Sequence, residues 1–533
     1  MQEQHMGLRF GILSLFLLVS SLVFGQTDTG RVRGTVTDPQ GAVVQGATVT
    51  LTNTDTARQI KASTDVLGAF DFDAVPRGHY KAAVAQTGFK AISAEFSLEV
   101  SQVKEVNFQL QLGAFSDTVD VSAQLPLVDT QTSSTGEVIQ GRQVTELPLN
   151  GRNFTQLALL TPGVTRGDYG DQASGVNNNV ETFRNGETGG AALVVNGLRA
   201  QANNFILDGL DNNESLVNSI NFFPPAEAIE EFRVNTSVAP AEFGRAGGGI
   251  VQTSIKSGTN QIHGSAFWFI RNSALDANNS YFNPVGKPVV KAPFKRNQFG
   301  GTVGMPILKN KLFIFADYQG LRQDRPLNPE LATVPTDKMR KGDFSELLGT
   351  GLTTTPRPLS GCGAVAPVNG AIYNPLTCAP FPGNLIPSTQ INQAGQSYLK
   401  AFPEPNIAGT ILHNFRAVRR DIRQFNDFDI KLDYNVTPKD TAFARYSYGQ
   451  DIFNLTPRLG TLSSGFGSGN NQNHPRGVAA GEIHSFGTTV VNDFRFGYSR
   501  PEFAFLNPFS NQAQAQQLGI VNANARRNLA ARR

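Results

Sequence analysis

Two cysteines, Cys362 and Cys378, are the residues of this chain with the clearest capacity for covalent chemistry. They lie sixteen positions apart in a segment rich in Pro and Gly. An oxidising compartment would let them close one loop as a disulfide, whereas a reducing compartment would leave two thiols. The sequence therefore makes them a disulfide candidate and leaves both states open.

Enzyme chemistry has no support from residue types and spacing. The six His are scattered, and the chain has no CxxC pair, no HExxH and no EF-hand spacing. The run Gly247–Gly249 lacks the Lys-Ser/Thr or Rossmann spacing of a phosphate cradle, so it indicates a tight turn between strands. We expect no catalytic residue, no cofactor-binding residue and no metal site.

Composition argues against a nucleic-acid partner. Lys plus Arg (46) nearly cancel Asp plus Glu (43), and the net charge of +3 is not concentrated in a basic block. The 533 residues are enough for several domains. The 53 Gly and 29 Pro, with 38 Phe, favour many short strands and turns over helices.

The N-terminal residues 1–25 have the pattern of a secretory signal peptide. Arg9 supplies the positive flank, an apolar run follows it, and Val23 and Gly25 permit cleavage before Gln26. The run is shorter than the ~20 residues that a membrane-spanning helix needs, although a retained anchor is the alternative. We expect an exported chain whose mature part associates with a membrane, if at all, through strands or a surface contact.

Residues 30–112 alternate apolar and polar positions in short bursts separated by turn residues, a pattern typical of a β-sandwich. Strands are predicted at Gly34–Thr37, 47–51, 69–72, 80–84 and 103–110. The motifs Asp38-Pro39-x-Gly41-Ala42, Thr64-Asp65-x-x-Gly68-x-Phe70 and Val75-Pro76-x-Gly78-x-Tyr80 resemble the carboxypeptidase-regulatory-like domain. The resemblance implies a prealbumin-like, carbohydrate-binding-like fold, with a structural spacer favoured over sugar binding.

A short alternating strand follows the sandwich, and it is a candidate for strand addition to a partner sheet. Its residues are Asp117, Thr118, Val119, Asp120, Val121, Ser122 and Ala123. The segment is similar to the energy-coupling box that precedes the plug of TonB-dependent receptors. That resemblance implies a TonB-type energy-coupling protein as partner, and an ordinary linker strand is the alternative.

Residues 117–260 carry several further motifs in order. Leu149-Asn150-Gly151-Arg152-Asn153-Phe154 leads into a short amphipathic helix that stops at Pro162-Gly163, and Asp208-Gly209 signals a tight hairpin. Helix-like residues are expected at 227–231. Together these motifs resemble the plug of Oar-like TonB-dependent outer-membrane receptors, which implies an α+β plug inside a barrel.

Residues 262–533 contain strands whose two faces differ in polarity. From Asp427 to Asn435 the even positions are apolar or aromatic and the odd positions are polar or charged, so one face suits lipid and the other water. Similar strands are expected at 442–448, 494–498, 264–271, 298–305, 312–321 and 478–486, with a short periplasmic turn at Asn310-Lys311. The region 323–423, with both cysteines, is expected to be a long extracellular loop and also resembles the Oar-like barrel.

The predicted fold class is therefore mainly β: an N-terminal prealbumin-like β-sandwich, an α+β plug and an incomplete transmembrane antiparallel β-barrel. The resemblance implies an outer-membrane TonB-dependent receptor or transporter that contacts outer-membrane lipid and an unidentified extracellular ligand, a glycan or an oligopeptide being the classes considered. The alternative is an exported adhesive or carbohydrate-binding structural protein without transport activity. About seven alternating segments fall short of the ~22 strands of a plugged transporter, so we expect a fragment of a longer receptor.

Overall fold

The alternating segments form strands in the computed structural model, which describes residues 29–113, 118–120, 135–167, 193–215, 218–237, 243–244, 247–276, 293–327, 329–350, 368–460, 469–487, 490–506 and 514–519. The predicted signal peptide, residues 1–25, lies outside these ranges. No described helix is long and apolar enough to cross a membrane.

The first unit is a sandwich of two sheets. Its strands are β1 (Gly30–Thr37), β2 (Thr48–Asn53), β3 (Gln59–Ser63), β4 (Ala69–Val75), β5 (Gly78–Ala85), β6 (Ala91–Leu98), β7 (Val103–Glu105) and β8 (Phe108–Gln109), with β9 (Thr118–Asp120) added at one edge. One sheet has the order β4-β1-β7 with β8 also on β1, and the other has the order β3-β2-β5-β6-β9. Alternate side chains such as Val32, Val49 and Val84 fill the core between the sheets and are fully buried.

The second unit is an α+β domain around a five-stranded sheet with the order β10-β15-β16-β13-β14. Its strands are β10 (Thr135–Gln140), β11 (Val164–Arg166), β12 (Leu193–Val195), β13 (Asn204–Leu207), β14 (Leu210–Asp211), β15 (Ile229–Ser237) and β16 (Ile250–Ile255). Its helices are α1 (Gly141–Glu146) and 3-10 turns at Asn150–Arg152, Phe154–Leu160, Ala200–Ala202 and Ala226–Ala228. Phe154 and Phe232 pack edge to face in its core.

The third unit is a nine-stranded antiparallel sheet, counted over the described residues, that is not closed on itself. Its strands are β17 (His263–Asn272), β18 (Lys295–Leu308), β19 (Leu312–Pro326), β22 (Arg420–Asn435), β23 (Asp440–Leu455), β24 (Gly469–Asn473), β25 (Arg476–Ser485), β26 (Val491–Arg500) and β27 (Phe503–Leu506). The connection between β19 and β22 contains a separate strand pair, β20 (Glu330–Ala332) and β21 (Phe415–Ala417). The same connection contains helix α2 (Gln393–Lys400) and four 3-10 turns, at Met339–Lys341, Ser345–Leu347, Pro382–Asn384 and Ser388–Gln390. Helix α3 (Gln514–Gln517) follows β27.

The two faces of this sheet differ in the way that the sequence predicts. On β22, Asp429 is fully buried and Lys431 is 3% exposed, whereas Ile430 and Leu432 are 41% and 37% exposed. On β23, Arg445 is buried and Tyr446 is exposed. The charged face therefore covers the second unit, and the apolar face is the surface that lipid would meet.

The ends of the long strands also differ. Short turns connect β18 to β19 at Asn310 and β22 to β23 at 436–439, and the last register pair of β25 and β26, Ser485 with Val491, lies at the same end. The longest connection, between β19 and β22, leaves from the opposite end. Asn260 binds the side chain of Asn310 and donates its backbone N–H to the Asp55 carbonyl at 3.0 Å, so the sandwich lies at the short-turn end.

Two local predictions need correction, and some elements of the fold have no counterpart among the predictions. Residues 227–231 are not helical beyond the single turn Ala226–Ala228, because Ile229–Ser237 pairs with β10 and β16 on both sides. The long loop is shorter at both ends than 323–423, since Pro326 still pairs with Arg420. Strands β3 and β6 and helix α1 were not predicted.

Candidate functional site

Asp208 occupies the turn between β13 and β14, where the sequence predicts a tight hairpin. Asp208 and Gly209 both have left-handed backbone angles, with φ of 49° and 74°, as a two-residue type I′ turn requires. The turn directs the Asp208 carboxylate into the protein, where the residue is only 1% exposed. A buried carboxylate must be compensated by cations or hydrogen bonds.

Cations from two neighbouring strands of the large sheet compensate it. Lys431 Nζ lies 3.4 Å from Asp208 Oδ1, and Arg445 Nε lies 3.1 Å from Oδ2. Lys431 and Arg445 are directly opposite each other on β22 and β23. The hairpin of the second unit is thus ion-paired with the inner wall formed by the third.

The sandwich supplies a third cation at the same point. Arg77 Nη2 lies 3.7 Å from Asp208 Oδ1 and donates to the carbonyl of Ile255 at 2.6 Å. Lys431 donates to that same carbonyl at 3.0 Å, while the Ile255 N–H donates to Asp208 at 3.0 Å. We call Asp208, Ile255, Arg77, Lys431 and Arg445 the Asp208 junction, because it joins all three units.

A buried ionic arrangement of this kind fixes geometry more than it adds stability. Desolvation offsets much of the attraction between buried charges, whereas removing one partner leaves the others uncompensated, at a cost of about 3–5 kcal/mol. The Asp208 junction therefore holds the second unit in one position against the sheet. Displacing that unit means separating these charges or hydrating them.

A second contact of this kind involves Arg152 from the Asn-Gly-Arg-Asn motif. Arg152 forms an ion pair with Glu227, and its guanidinium lies 4.5 Å from the ring centre of Phe269 on β17. Burial raises the pKa of Glu227, while the charge of Arg152 opposes that increase. The motif thus anchors the second unit to the first strand of the sheet through an ion pair and a cation–π contact.

The sandwich is attached to the second unit through the loop that follows β6. The Val100 N–H donates to Glu231 Oε1 at 2.6 Å, and the Val100 carbonyl accepts from Arg233 Nη1 at 3.2 Å. Ser101 accepts from Gln252 at 3.1 Å. Burial raises the pKa of Glu231 to about 7, although nearby Arg77 lowers it.

A cavity of about 780 Å³ lies between the three units at the short-turn end. Its lining includes Arg58 and Arg77 of the sandwich, Glu231 of the second unit, and Asp433 and Arg495 of the sheet. Cations and carboxylates are both present in its lining. The cavity therefore leaves a space between the units that is large enough for water, which would ease their relative movement.

The candidate coupling segment is only partly described. Thr118, Val119 and Asp120 form β9, which pairs in parallel with Ala91–Ser93 of β6. Asp117, Val121, Ser122 and Ala123 lie outside the described residues. The backbone of residues 118–120 thus pairs with the sandwich, whereas the sequence predicts backbone hydrogen-bond donors and acceptors that are available to a partner protein.

The two cysteines belong to the long connection between β19 and β22. Cys378 is disulfide-bonded. Cys362 lies outside the described residues, so the pairing of Cys362 with Cys378 stays a prediction.

One group of residues that could hold a metal ion occurs within the described ranges. Asp440, Glu482 and His484 place their ligand atoms within 4.8 Å of one another. Asp440 is opposite His484 on neighbouring strands, and the two are hydrogen-bonded. Motif spacing could not have found this group, because strand register brings it together.

Sequence reasoning also missed the charges of the Asp208 junction. The sequence pattern indicates only a turn at Asp208 and a polar strand face at Lys431. Charged residues at inward positions of strands such as β22 and β23 were the available signal. Nothing in the spacing indicates that their partners come from residues 77 and 208.

A sheet with an apolar outer face and a charged inner face, covering a smaller α+β domain, defines a plugged β-barrel architecture. Residues 254–531 match the family model described as "Outer membrane beta barrel domain", and residues 31–111 match the "Carboxypeptidase regulatory-like domain". The first match covers more than half of the chain, which therefore belongs to the outer membrane beta-barrel domain family and is an outer-membrane protein.

Individual relatives agree with this assignment. The TonB-dependent transporter Oar of Myxococcus xanthus is 26% identical over 320 residues, which are 58% of this chain and 28% of that protein. The chain thus spans less than a third of the curated relative that it matches. The predicted resemblance to Oar-like TonB-dependent receptors and the predicted N-terminal carboxypeptidase-regulatory-like domain are confirmed.

Solved structures of outer-membrane proteins also resemble the chain. The outer membrane transporter YddB from Escherichia coli is 12% identical, with a TM-score of 0.40, over 68% of this chain and 38% of that chain. The siderophore receptor PirA from Acinetobacter baumannii is 14% identical, with a TM-score of 0.39, over 69% and 40%.

Proposed function

We propose that the chain acts in TonB-dependent uptake of an extracellular ligand across the outer membrane. The observation that carries the proposal is the Asp208 junction, a buried set of charges that holds a plug inside a barrel wall. The plug follows a short strand, Thr118–Asp120, that resembles a coupling box. No covalent chemistry is required of the protein.

The proposed domains are those indicated by the sequence: a sandwich at 30–112, a plug with its coupling segment at 117–260 and barrel strands from 262. The short-turn end is the periplasmic end, because outer-membrane barrels have short periplasmic turns and longer extracellular loops. The coupling strand and the sandwich then lie in the periplasm, where a TonB-type protein can reach them. The long connection between β19 and β22 faces the ligand.

In the proposed mechanism, a pull on the coupling segment opens a path through the lumen. The pull must separate Asp208 from Lys431 and Arg445, which face the lumen on β22 and β23. Water from the cavity beside Glu231 can hydrate the separated charges, and it lowers the cost of moving the plug. The ions re-pair when the pull ends, so the plug returns to one defined position.

The class of ligand stays a proposal. A glycan or an oligopeptide would suit the polar connection at the extracellular end. The alternative function, an exported adhesive or carbohydrate-binding protein without transport activity, is not favoured by the relatives described above.

The test is binding of the purified full chain to the C-terminal domain of a TonB-type protein, measured by biolayer interferometry. Val119→Pro removes a backbone donor from the coupling strand, so we expect binding to fall at least tenfold. Val66→Pro is the matched control, because Val66 is exposed in the turn closed by the Gly68 N–H and the Asp65 carbonyl, where Pro is tolerated. Equal binding by wild type and Val119→Pro would contradict coupling through this strand.

A further inference from the structure

The outer edge of the sandwich is occupied by the same strand that is the coupling candidate. Strand β6 pairs with β5 on one side, and on the other side its first residues, Ala91–Ser93, pair with Thr118–Asp120. Within the described residues, no strand pairs with that side of β6 beyond Ser93. The edge is therefore a strand-addition surface that this chain partly fills with its own segment.

The connection that leads to β9 is also attached to the sandwich. The Lys90 N–H donates to the Gln111 carbonyl at 2.8 Å, and Phe89 forms a β-bridge with Leu112. Leu110, just before this connection, is fully buried in the sandwich core. Only the five residues 113–117 separate this attachment from the coupling strand in the sequence, so β9 is held at a high effective concentration near β6.

We propose that the β6 edge of the sandwich masks the coupling strand and competes with the TonB-type protein for it. The inference rests on the proposed function, since it assigns a regulation to the same strand. A backbone group that is hydrogen-bonded to β6 cannot pair with a second sheet at the same time. A partner that adds to the edge of β9 facing β6 must therefore capture the strand in the fraction of molecules in which it has left β6, so its apparent affinity is reduced by that fraction, whereas addition to the opposite edge of β9 would not be reduced.

The short length of the pairing makes this competition reversible. Only three residue pairs join β9 to β6, whereas seven join β6 to β5. The weaker ladder opens without unfolding the sandwich. The sandwich itself stays attached to the plug through Val100 and to the barrel end through Asp55, so release of β9 does not require the sandwich to leave.

A disulfide across the two strands tests the masking directly. Ala91 and Thr118 are register partners, and neighbouring strands are about 4.8 Å apart, within the range of about 4.4–6.8 Å that disulfides span between Cα atoms. We expect the variant Ala91→Cys/Thr118→Cys to cross-link on mild oxidation of the purified full chain. The pair Ala91→Cys/Asp120→Cys, which is out of register, should cross-link much more slowly.

The readout is binding of the C-terminal domain of a TonB-type protein to the oxidised and reduced forms. We expect oxidation to weaken binding at least tenfold and reduction to restore it. The single variants Ala91→Cys and Thr118→Cys pass through the same redox steps and should bind equally in both. Hydrogen exchange of the Ala47 amide, which donates to the buried Thr64 hydroxyl, verifies that the sandwich is folded.

Three outcomes overturn the inference. If the in-register pair does not cross-link although the Ala47 amide is protected, β9 does not lie on β6. Equal binding by the oxidised and reduced forms shows that the pairing masks nothing. Absence of binding by every form, including the wild type, refutes the proposed coupling function itself, and so differs from the first two results.

Discussion

Glu231 makes the attachment of the sandwich to the plug dependent on pH. Its carboxyl accepts the Val100 N–H in a buried interface, and burial raises its pKa from an ordinary value of 4.5 to about 7. Arg77 opposes this increase, whereas Glu99 and Glu230 add to it. When the sandwich leaves the plug, water reaches Glu231 and its pKa returns toward the ordinary value.

The sign follows from proton binding. Between pH 4.5 and about 7 the attached state holds a proton that the detached state has lost, so attachment weakens as pH rises through this window and is constant above it. A pKa difference of about 2.5 corresponds to about 3 kcal/mol at full detachment. This value is an upper bound, because the plug alone shields part of the Glu231 side chain.

Hydrogen exchange of the full chain in detergent measures the opening of this contact. We expect the protection of a peptide spanning 99–102, corrected for intrinsic exchange, to fall by about two orders of magnitude from pH 5 to pH 8. Glu231→Gln imitates the protonated carboxyl and should abolish the dependence, and the Ala47 amide should show none in either protein. The reasoning is refuted if Glu231→Gln keeps the pH dependence of the wild type.

Three other predictions concern the plug and the long loop. Asp208→Asn removes the charge that compensates Lys431 and Arg445, so it should lower the stability of the seated plug by about 3–5 kcal/mol. The plug should then become sensitive to protease at a lower urea concentration. Asp211→Asn, at an exposed position, is the control and should change little. Arg152→Gln removes both the ion pair with Glu227 and the contact with Phe269, so it should lower the same urea midpoint by about 1–3 kcal/mol, and an unchanged midpoint would contradict an anchoring role. Without reductant, Cys362 and Cys378 should both resist alkylation in mass spectrometry, and labelling of both would disprove their pairing.

The barrel strands were predictable because lipid and lumen impose opposite polarities on alternate residues. Ile430 and Leu432 face outward and Asp429 and Lys431 face inward, as the period of two indicates. Strand β6 also follows this period of two, since Ile92, Phe96 and Leu98 are buried and Glu95 and Ser97 are exposed, so its alternation was an available signal that the sequence prediction did not use. Residues 227–231 contain Ala and Glu, whose helix preference is overridden by pairing with strands on both sides.

The site itself was much less predictable. The hairpin at Asp208 follows from a local Asp-Gly signal, and a left-handed turn needs no distant partner. The cations around Asp208 come from residues 77, 431 and 445, whose approach is decided by how three units dock. Local sequence patterns contain no information on docking, so only the charged inner face was available as a signal.

The order of strands in the plug sheet decides how a pulling force would travel through it. The chain enters the sheet at β10, an edge strand that within the described part of the chain pairs with β15 alone, whereas β16 lies inside the sheet and continues directly into the barrel wall. Ile255, at the end of β16, is fixed by Arg77, Lys431 and Asp208. A load from the periplasm therefore reaches the six pairs between β10 and β15 before it reaches the anchored end, so the plug would begin to peel at this edge before the charges of the Asp208 junction separate.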